Sequence, residues 1–282
     1  MKAVFWDVDH GSAAYFKIKD KNIIIDLGAG SYVDSNFSPL KHLRSKYNVD
    51  IIHALIVTHP HRDHLDDISN LRTFHVQSFI RPAHLTDRDI INGNRKEDIY
   101  VLNKYLDYNK RYINKFSDGA KYLEVSIDNA LIQIFSPNSC STSNLNNHSL
   151  VTVISYLGKK ILIPGDNENG SWMELLKNPY FIRSITGTNI FVAPHHGRES
   201  GICEALFDFI SPNLTILSDD SYVATTASSF YSSISKGWPV RYRNTGGGYE
   251  KRYCVTTRSD GAIKLQIGKT TSNQIIMDIL AG

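Results

Sequence analysis

Four residues with metal-binding side chains fall within six positions of the chain: His59, His61, Asp63 and His64. They read H-x-H-x-D-H and directly follow an apolar run at 53–57 that predicts a β-strand. Imidazole and carboxylate ligands in combination suit zinc, manganese or iron. In an extended segment His59 and His61 project to the same side, whereas Asp63 and His64 follow where the chain turns. The motif therefore predicts a site for a pair of divalent ions.

Two later segments also carry ligand-type side chains at the ends of apolar runs. Leu162-Ile163-Pro164-Gly165-Asp166 ends in an aspartate, and Phe191-Val192-Ala193-Pro194-His195-His196-Gly197 carries two histidines. Either segment alone is a weak signal, because a strand often ends in an aspartate or a turn. All three motifs follow apolar strands in the same way, which argues for one shared site.

This set of motifs resembles the metallo-β-lactamase-fold hydrolases. The resemblance implies an α/β fold, a four-layer αββα metallo-β-lactamase sandwich in which loops at one edge of two packed sheets supply the ligands. Asp26, in Ile23-Ile24-Ile25-Asp26-Leu27-Gly28, matches the first motif of that family, a structural aspartate near the site. We expect one domain over 1–282, with a helical insertion at 84–116.

A narrower resemblance is to the hydrolase domain of the competence protein ComEC. Three segments carry it: Phe5-Trp6-Asp7-Val8-Asp9-His10-Gly11-Ser12-Ala13, Asn146-Asn147-His148-Ser149-Leu150-Val151 and Pro194-His195-His196-Gly197. The sequence departs from that pattern where Asp9 replaces a glycine and Arg198 replaces a serine. Ser218-Asp219-Asp220-Ser221-Tyr222 stands where an N-x-Y-G-H-P element is usual. These departures concern the substrate rather than the metal site.

The resemblance implies a ligand set for one or two divalent ions, zinc or manganese. His59 and His61 would bind the first ion, and Asp63, His64 and His195 the second, with Asp166 between them. The catalytic set would then be Asp63, His59, His61, His64 and Asp166, because two ions about 3.5–4 Å apart supply a hydroxide and stabilise the oxyanion of an ester.

Some assignments stay open. Alignment of the H-x-G-S/T motif favours His195 over His196 as ligand, which leaves His196 to support a ligand or to contact substrate. The third ligand of the first ion is Asn146 or His148; Asn146 can instead contact substrate. His10 lies in a glycine-containing turn, where it either contacts a phosphate or has a structural role.

Apolar runs separated by turn residues indicate the elements that position these motifs. Strands are predicted at 3–8, 13–18, 22–26, 52–57, 131–135, 150–157, 160–163, 190–193 and 214–217. Helices are predicted at 39–47, from about Leu65, at 98–116, at about 171–177 and at 202–210. Tyr105, Tyr108 and Tyr112 recur along the 98–116 helix, which would be either a lid with aromatic faces or an amphipathic helix packed on the body.

Composition excludes several classes of protein. The three cysteines, Cys140, Cys203 and Cys254, are widely spaced and form neither a zinc nor a disulfide pattern, which suits a reducing compartment. No run approaches the about 20 apolar residues that a membrane span needs, and the N-terminus lacks a long apolar stretch. We therefore expect a cytoplasmic protein with no membrane partner.

The stretch 236–258 interleaves basic and aromatic side chains and includes Arg241 and Arg243. It could bind a polyanion, because basic groups hold phosphates and aromatic rings stack on bases; alternatively it is a β-hairpin with outward basic residues. The favoured function is a phosphodiesterase or nuclease acting on nucleic acid or a nucleotide. The alternatives are a carbon-ester, lactone or thioester hydrolase, and a non-catalytic regulatory partner of another protein.

Overall fold

The computed structural model describes residues 1–32, 35–112, 122–219, 227–243 and 248–282. The strands are β1 Lys2–Phe5, β2 Ala14–Ile18, β3 Lys21–Ile25, β4 Gly30–Tyr32, β5 Ser35–Phe37, β6 Ile51–Ile52, β7 Ala54–Ile56, β8 His75–Val76, β9 Phe79–Ile80, β10 Tyr122–Ile127, β11 Ala130–Phe135, β12 Val151–Tyr156, β13 Lys159–Ile163, β14 Ile190–Val192, β15 Leu214–Leu217, β16 Trp238–Tyr242, β17 Tyr249–Arg252, β18 Cys254–Thr256, β19 Ile263–Lys269 and β20 Ile275–Ala281. The helices are α1 Pro39–Tyr47, α2 Asp87–Asn92, α3 Ile99–Arg111, α4 Asn169–Leu175, α5 Pro179–Ile185, α6 Ser228–Ile234 and α7 Thr257–Asp260. Short 3₁₀ segments lie at Arg62–His64, Asp66–Thr73, Lys96–Asp98, Leu145–His148, Pro194–Gly197, Glu199–Gly201 and Glu204–Asp208.

Two large sheets form the centre of the molecule. One has nine strands in the order β17-β16-β20-β19-β1-β2-β3-β7-β9, and the other has seven in the order β10-β11-β12-β13-β14-β15-β18. Apolar residues of both sheets, such as Phe16 and Ile163, form a single buried cluster between them. This burial of facing apolar surfaces holds the two sheets together.

Helices cover the outer face of each sheet. A second buried cluster joins α1, α3 and the segment 66–73 to the nine-stranded sheet. A third joins α4, α5 and α6 to the seven-stranded sheet, with the fully buried Trp172 at its centre. Three apolar interfaces separate four layers, so the predicted α/β four-layer sandwich is confirmed.

Both sheets end in loops on the same side of the molecule. Strands β3 and β7 run parallel, as do β13, β14 and β15. The backbone N–H of Leu150 donates to the carbonyl of Thr58 over 2.8 Å, which joins the loops of the two sheets. Gly165 has φ of +61°, and a Cβ atom there would lie 2.7 Å from Cβ of Thr58. Only glycine permits this close approach, which brings Asp166 beside the histidine motif.

The segment after the histidine motif is held to helix α1. Ser38 caps that helix by accepting from the backbone N–H of Lys41. The buried Asp67 carboxylate accepts from Ser38 Oγ over 2.6 Å and from the Leu40 N–H over 2.7 Å. These bonds fix the chain immediately after His64.

Helices lie where the insertion was expected, with α3 over Ile99–Arg111 and residues 113–116 outside the described part. The Tyr105 side chain is fully buried, and its ring packs edge-on against Phe79. The Tyr112 hydroxyl donates to the Val76 carbonyl over 2.8 Å. The helix thus packs on the body of the protein, and these two tyrosines are used in that packing rather than presented as a lid.

Several predicted elements differ in detail. The strand expected at 52–57 is divided into β6 and β7, because His53 leaves the ladder and accepts a hydrogen bond from the Asn22 N–H through Nδ1. The helices expected from Leu65 and at 202–210 are 3₁₀ segments. Within the described ranges, none of the helices combines the length and apolar character required to cross a membrane.

Candidate metal centre

Four side chains from three loops converge on one point: Asp63, His64, Asp166 and His196. Each offers one ligand atom, and these atoms all lie within 4.8 Å of one another. His64 Nε2 lies 3.2 Å from Asp166 Oδ1, and His196 Nε2 lies 3.2 Å from Asp63 Oδ2. The group contains two imidazole nitrogens and two carboxylates, a donor set suited to zinc, manganese or iron.

A second pair of histidines lies beside the group of four. His59 Nε2 is 3.0 Å from His61 Nδ1 and 3.8 Å from Asp166 Oδ2. Asp166 Oδ2 is also 3.4 Å from His196 Nε2, and the rings of His59 and His64 are 4.2 Å apart. The carboxylate of Asp166 is therefore within reach of nitrogens from both groups of histidines.

Asp26 controls the orientation of His64. Its buried carboxylate accepts from the Thr58 N–H over 2.7 Å and from His64 Nδ1 over 2.8 Å. With one proton fixed on Nδ1, His64 turns Nε2 towards Asp166, where a bound ion would replace any proton on that nitrogen. Such an orienting partner is usual for histidines that bind metal. Asp26 thus lies next to the site, where the sequence predicted a structural aspartate.

A backbone carbonyl orients His196 in the same way. His196 Nδ1 donates to the Ser218 carbonyl over 2.9 Å, which leaves Nε2 for the cluster. His195 and His196 both have left-handed backbone, with φ of 49° and 55°. This uncommon conformation turns two adjacent side chains in different directions. Ser218 is a contact that the histidine motif itself could not indicate.

The cluster concentrates negative charge in a place with little water. Asp26 is 1% exposed and Asp166 is 3% exposed, whereas the Asp63 side chain is 29% exposed. Burial alone would lower the pKa of His64, but the surrounding carboxylates, Asp166 foremost, raise it well above its usual value. The same opposition raises the pKa of His196 to about 9. Buried carboxylates need a positive partner, and here protons on these two histidines supply it.

The pKa values of His59 and His61 are lowered rather than raised. Burial lowers the pKa of His59 well below its usual value, and the charge of His64 lowers it further. Burial also lowers the pKa of His61. Both imidazoles are therefore neutral at pH 7, the form that binds metal. Neutral nitrogens beside buried carboxylates fit a divalent ion, whose charge would replace that of the protons on His64 and His196.

His195, which the sequence favoured as a ligand, and His196 have different surroundings. His196 belongs to the group of four, whereas His195 Nε2 lies 4.0 Å from the nearest Asp166 oxygen and 3.4 Å from a terminal nitrogen of Arg198. His195 Nδ1 lies 2.8 Å from Ser200 Oγ and 3.3 Å from Glu168 Oε1. His195 therefore has partners on both ring nitrogens, and the geometry favours His196 as the ligand.

Glu168 is a site residue that the sequence motifs did not indicate. Its carboxylate accepts from Asn144 Nδ2 over 2.7 Å and from Asn146 Nδ2 over 3.2 Å, and it also faces His195. The sequence signal for Glu168 was its position: it is a charged residue two positions after Asp166, in the loop that follows the same strand. Glu168 connects the asparagine loop to the histidine loop.

The two candidates for the third ligand of the first ion have different surroundings. His148 is fully buried and has partners on both ring nitrogens, His84 Nε2 at 2.9 Å and the Ser141 carbonyl at 3.3 Å. Asn146 Oδ1 is buried and accepts no hydrogen bond from the described residues. A buried carbonyl oxygen without a donor is costly unless it meets a cation or water. The geometry therefore favours Asn146.

His10 and Arg198 lie beside the cluster. His10 Nε2 is 3.9 Å from Asp63 Oδ2, and its ring centre is 4.6 Å from that of His196. A terminal nitrogen of Arg198 lies 3.1 Å from His10 Nε2. His10 and Arg198 thus lie beside the candidate ligands, and whether either contacts a substrate stays a prediction.

The two arginines predicted to contact substrate lie on and just after β16. Arg241 pairs with the carboxylate of Asp278 on β20. Arg252, in the same basic stretch, pairs with Asp260. Arg243 is exposed and lines a cavity of 640 Å³. The described contacts do not bring Arg241 or Arg243 to the cluster, and residues 244–247 of this hairpin lie outside the described part.

Comparison with solved structures supports the fold. The chain is similar to CmlA, a diiron β-hydroxylase from Streptomyces venezuelae, with a TM-score of 0.54 and 11% identity over 94% of this chain and 54% of CmlA. It thus spans about half the length of that protein. It is also similar to the metallo-β-lactamase fold protein YhfI from Bacillus subtilis, with a TM-score of 0.48 and 10% identity over 93% of this chain and 99% of YhfI. No protein-family model and no curated protein matches the sequence. The similarity to CmlA supports the predicted four-layer α/β sandwich.

Proposed function

We propose that the protein is a metal-dependent hydrolase that cleaves phosphodiester bonds in nucleic acid or a nucleotide. The convergence of histidine nitrogens on the Asp166 carboxylate carries this proposal. Ring nitrogens of His59, His64 and His196 lie 3.2–3.8 Å from its oxygens, with His61 beside His59 and Asp63 beside His196. Zinc or manganese suits both sets of donors.

The residues would share two divalent ions. His59 and His61 would hold one, with Asn146 Oδ1 as a further candidate ligand, and Asp63, His64 and His196 would hold the other. Such ions, when bound, lower the pKa of water and offset the negative charge that develops on the phosphoryl oxygens. Asp26 and the Ser218 carbonyl keep the two ligand imidazoles in the tautomer that this requires.

Asp63 has a separate role in the proposed reaction. It is the only member of the group of four that is not buried. Its carboxylate can therefore accept a hydrogen bond from the attacking water and hold that water in line with the phosphorus atom. Holding the reactants in this geometry contributes to the rate.

The surroundings of the cluster favour a phosphodiester over a carbon ester. A lactone or thioester substrate calls for an apolar pocket beside the metal ligands. Polar and charged side chains lie around the cluster: His10 beside Asp63, Thr58 beside His64, His195 beside Asp166, and Arg198 beside His10 and His195. The ComEC resemblance in the sequence, carried by the three segments named above, also supports a phosphodiester.

A cavity supports nucleic acid or a nucleotide as the substrate class. Aromatic and cationic side chains contribute to its lining: Trp6, Phe37, Tyr242, Arg243, Arg258 and Lys264. Asp7, which also lines this cavity, is three residues before His10. Aromatic rings can stack on bases and cations can hold phosphates, so a strand bound at the metal centre could extend into this cavity.

A substrate panel tests the proposal. The protein, stripped of metal and reloaded with zinc or manganese, is assayed on single- and double-stranded DNA, RNA, cyclic nucleotides and bis-p-nitrophenyl phosphate. The same preparation is assayed on lactones, thioesters and p-nitrophenyl acetate. We expect metal-dependent turnover of at least one phosphodiester. Turnover confined to the carbon esters contradicts the proposal, and no turnover by a metal-loaded preparation favours a regulatory partner.

A further inference from the structure

Arg198 lies between two histidines beside the candidate metal centre. Its two terminal nitrogens are 3.4 Å from His195 Nε2 and 3.1 Å from His10 Nε2. A guanidinium group can only donate, so both ring nitrogens accept from it. Arg198 Nε is buried and has no hydrogen-bond partner in the described part of the chain. The two histidines thus hold the guanidinium group in a defined position.

Ser200 and Glu168 fix the orientation of the His195 ring. With Nε2 accepting from Arg198, the ring proton must be on Nδ1, which faces Ser200 Oγ at 2.8 Å and Glu168 Oε1 at 3.3 Å. Glu168 is held in turn by Asn144 and Asn146. The row Glu168, His195, Arg198 and His10 therefore forms a connected network rather than a set of mobile surface side chains.

The row passes close to both carboxylates that face the ions. His195 Nε2 lies 4.0 Å from Asp166 Oδ2, and His10 Nε2 lies 3.9 Å from Asp63 Oδ2. Asp26, Asp63, Asp166 and Glu168 contribute four negative charges at the site, which two divalent ions would offset. Arg198 adds a positive charge beside this set. That charge attracts the negative charge of a phosphodiester, whereas a neutral ester carries no charge for it to attract.

We propose that Arg198 is a substrate-binding residue that recognises a non-bridging oxygen of a singly charged phosphodiester and selects against neutral esters. This inference rests on the proposed metal-dependent hydrolase. Guanidinium groups suit the role because they present several donors in a fixed plane to phosphate oxygens. The ComEC pattern has serine at this position, which offers one hydroxyl and no charge.

The test compares two substrates with the same leaving group. Bis-p-nitrophenyl phosphate is a monoanion, and dimethyl p-nitrophenyl phosphate is neutral. Replacing Arg198 by glutamine should lower kcat/KM for the diester about 100-fold, because it removes the charged donor to an oxygen that carries negative charge both in the bound diester and in the transition state. Turnover of the neutral triester should change less than about 3-fold. Arg198→Lys keeps the charge but not the planar donors. Its kcat/KM for the diester should therefore lie between those of the wild type and Arg198→Gln.

A matched control and a binding measurement complete the design. Arg62→Gln removes the same charge from a side chain that pairs with Asp66 and Asp98 instead of the row, so we expect its diester preference to remain that of the wild type. Binding of inorganic phosphate to the metal-loaded proteins is measured by calorimetry, with metal content determined on the same samples. Arg198→Gln should weaken phosphate binding about 10-fold or more at unchanged metal content, by loss of a charge-assisted contact.

The outcomes separate the two proposals. An equal loss on both substrates, unchanged phosphate binding in Arg198→Gln, or a similar loss in Arg62→Gln overturns the role of Arg198 while leaving the hydrolase intact. Absence of phosphodiester turnover in the wild type overturns the proposed function. In that case the phosphate-binding measurement still tests the role of Arg198. If the metal-loaded wild type binds no phosphate, Arg198 does not recognise phosphate.

Discussion

His64 donates a hydrogen bond from Nδ1 to Oδ2 of Asp26 over 2.8 Å, and both side chains are fully removed from solvent. Asp26 lies at the end of β3, whereas His64 belongs to the loop after β7. Because these strands are parallel neighbours, the bond joins two adjacent strand ends. It fixes the imidazole before any ligand arrives, so the site is partly organised by the fold itself.

Replacing Asp26 by asparagine should weaken metal binding while preserving the fold. Asparagine tolerates the left-handed backbone at this position, where φ is 61°, but its amide cannot stabilise the same imidazole tautomer. Loss of such an orienting partner costs about 10–100-fold in metal affinity. Competition with a chelating dye measures this. Asp20→Asn, at an exposed turn, is the control and should bind as the wild type does; equal affinity in both variants contradicts the role of Asp26.

Metal stoichiometry tests whether His196 or His195 is the metal ligand. His196→Asn should lose one equivalent of zinc per chain, because an amide is a weak zinc ligand compared with imidazole. His195→Asn should retain both equivalents. Asparagine is chosen at both positions because it accepts a positive φ. Metal analysis after dialysis decides the matter, and loss of zinc from the His195 variant alone restores the assignment made from the sequence.

The pKa of Asp7 predicts how stability depends on pH. Burial, with the nearby Asp9 and Asp219, raises the pKa of this carboxyl to about 6. The folded state therefore binds its proton more tightly than the unfolded state, and the resulting stabilisation is present below about pH 4 and lost as pH rises through 6. Asp7→Asn should then raise the free energy of unfolding at pH 8 by about 1 kcal/mol, a value reduced because the side chain is only half-buried.

Urea denaturation at pH 8 and pH 4.5 measures this gain. The difference between Asp7→Asn and the wild type should be largest at pH 8 and about a third of that size at pH 4.5, which lies between the unfolded and folded pKa values. Asp128→Asn, at an exposed turn, should show no such dependence. A gain of the same size at both pH values would falsify the assignment of the effect to the ionisation of Asp7.

Arg243 and Arg241 should differ in their effect on oligonucleotide binding. Arg243 is exposed and lines the cavity with Arg258 and Lys264. If that cavity holds a phosphate, Arg243→Gln lowers affinity and reduces the slope of log K against log salt by about 1. Arg241 is paired with Asp278, so Arg241→Gln should leave the slope unchanged and cost less than about 1 kcal/mol of stability. Identical salt slopes for both variants and the wild type would exclude the cavity.

The candidate ligands could be picked out of the sequence because the information is local. Residue type and position at the end of an apolar strand indicated His59, His61, Asp63, His64 and Asp166, and the structure brings these side chains together. The choice between His195 and His196 was not local, since it depends on left-handed backbone at both residues and on a carbonyl of the following strand, at Ser218. Adjacent histidines in one turn give no sequence signal for their directions.

The surroundings of the site depended on long-range pairing. Glu168 lies near Asp166 in sequence, but its partners come from the loops that carry Asn144 and His195. Arg241 looked free for a substrate because its partner, Asp278, lies on a strand that pairs with β16 through the order of the whole sheet. A basic residue is a reliable indicator of a phosphate contact only when its ion pairs are known.

Hydrolysis by this protein should require both a bound metal ion and Asp63. The measurement is hydrolysis of bis-p-nitrophenyl phosphate by wild-type protein and Asp63→Ala, each stripped of metal and then titrated with manganese or zinc, with thermal melting recorded on the same preparations. We predict that stripped wild type is inactive, that metal restores its activity, and that Asp63→Ala melts as a folded protein but stays inactive at every metal concentration. Hydrolysis by the stripped wild type, or full activity in Asp63→Ala, would contradict the account.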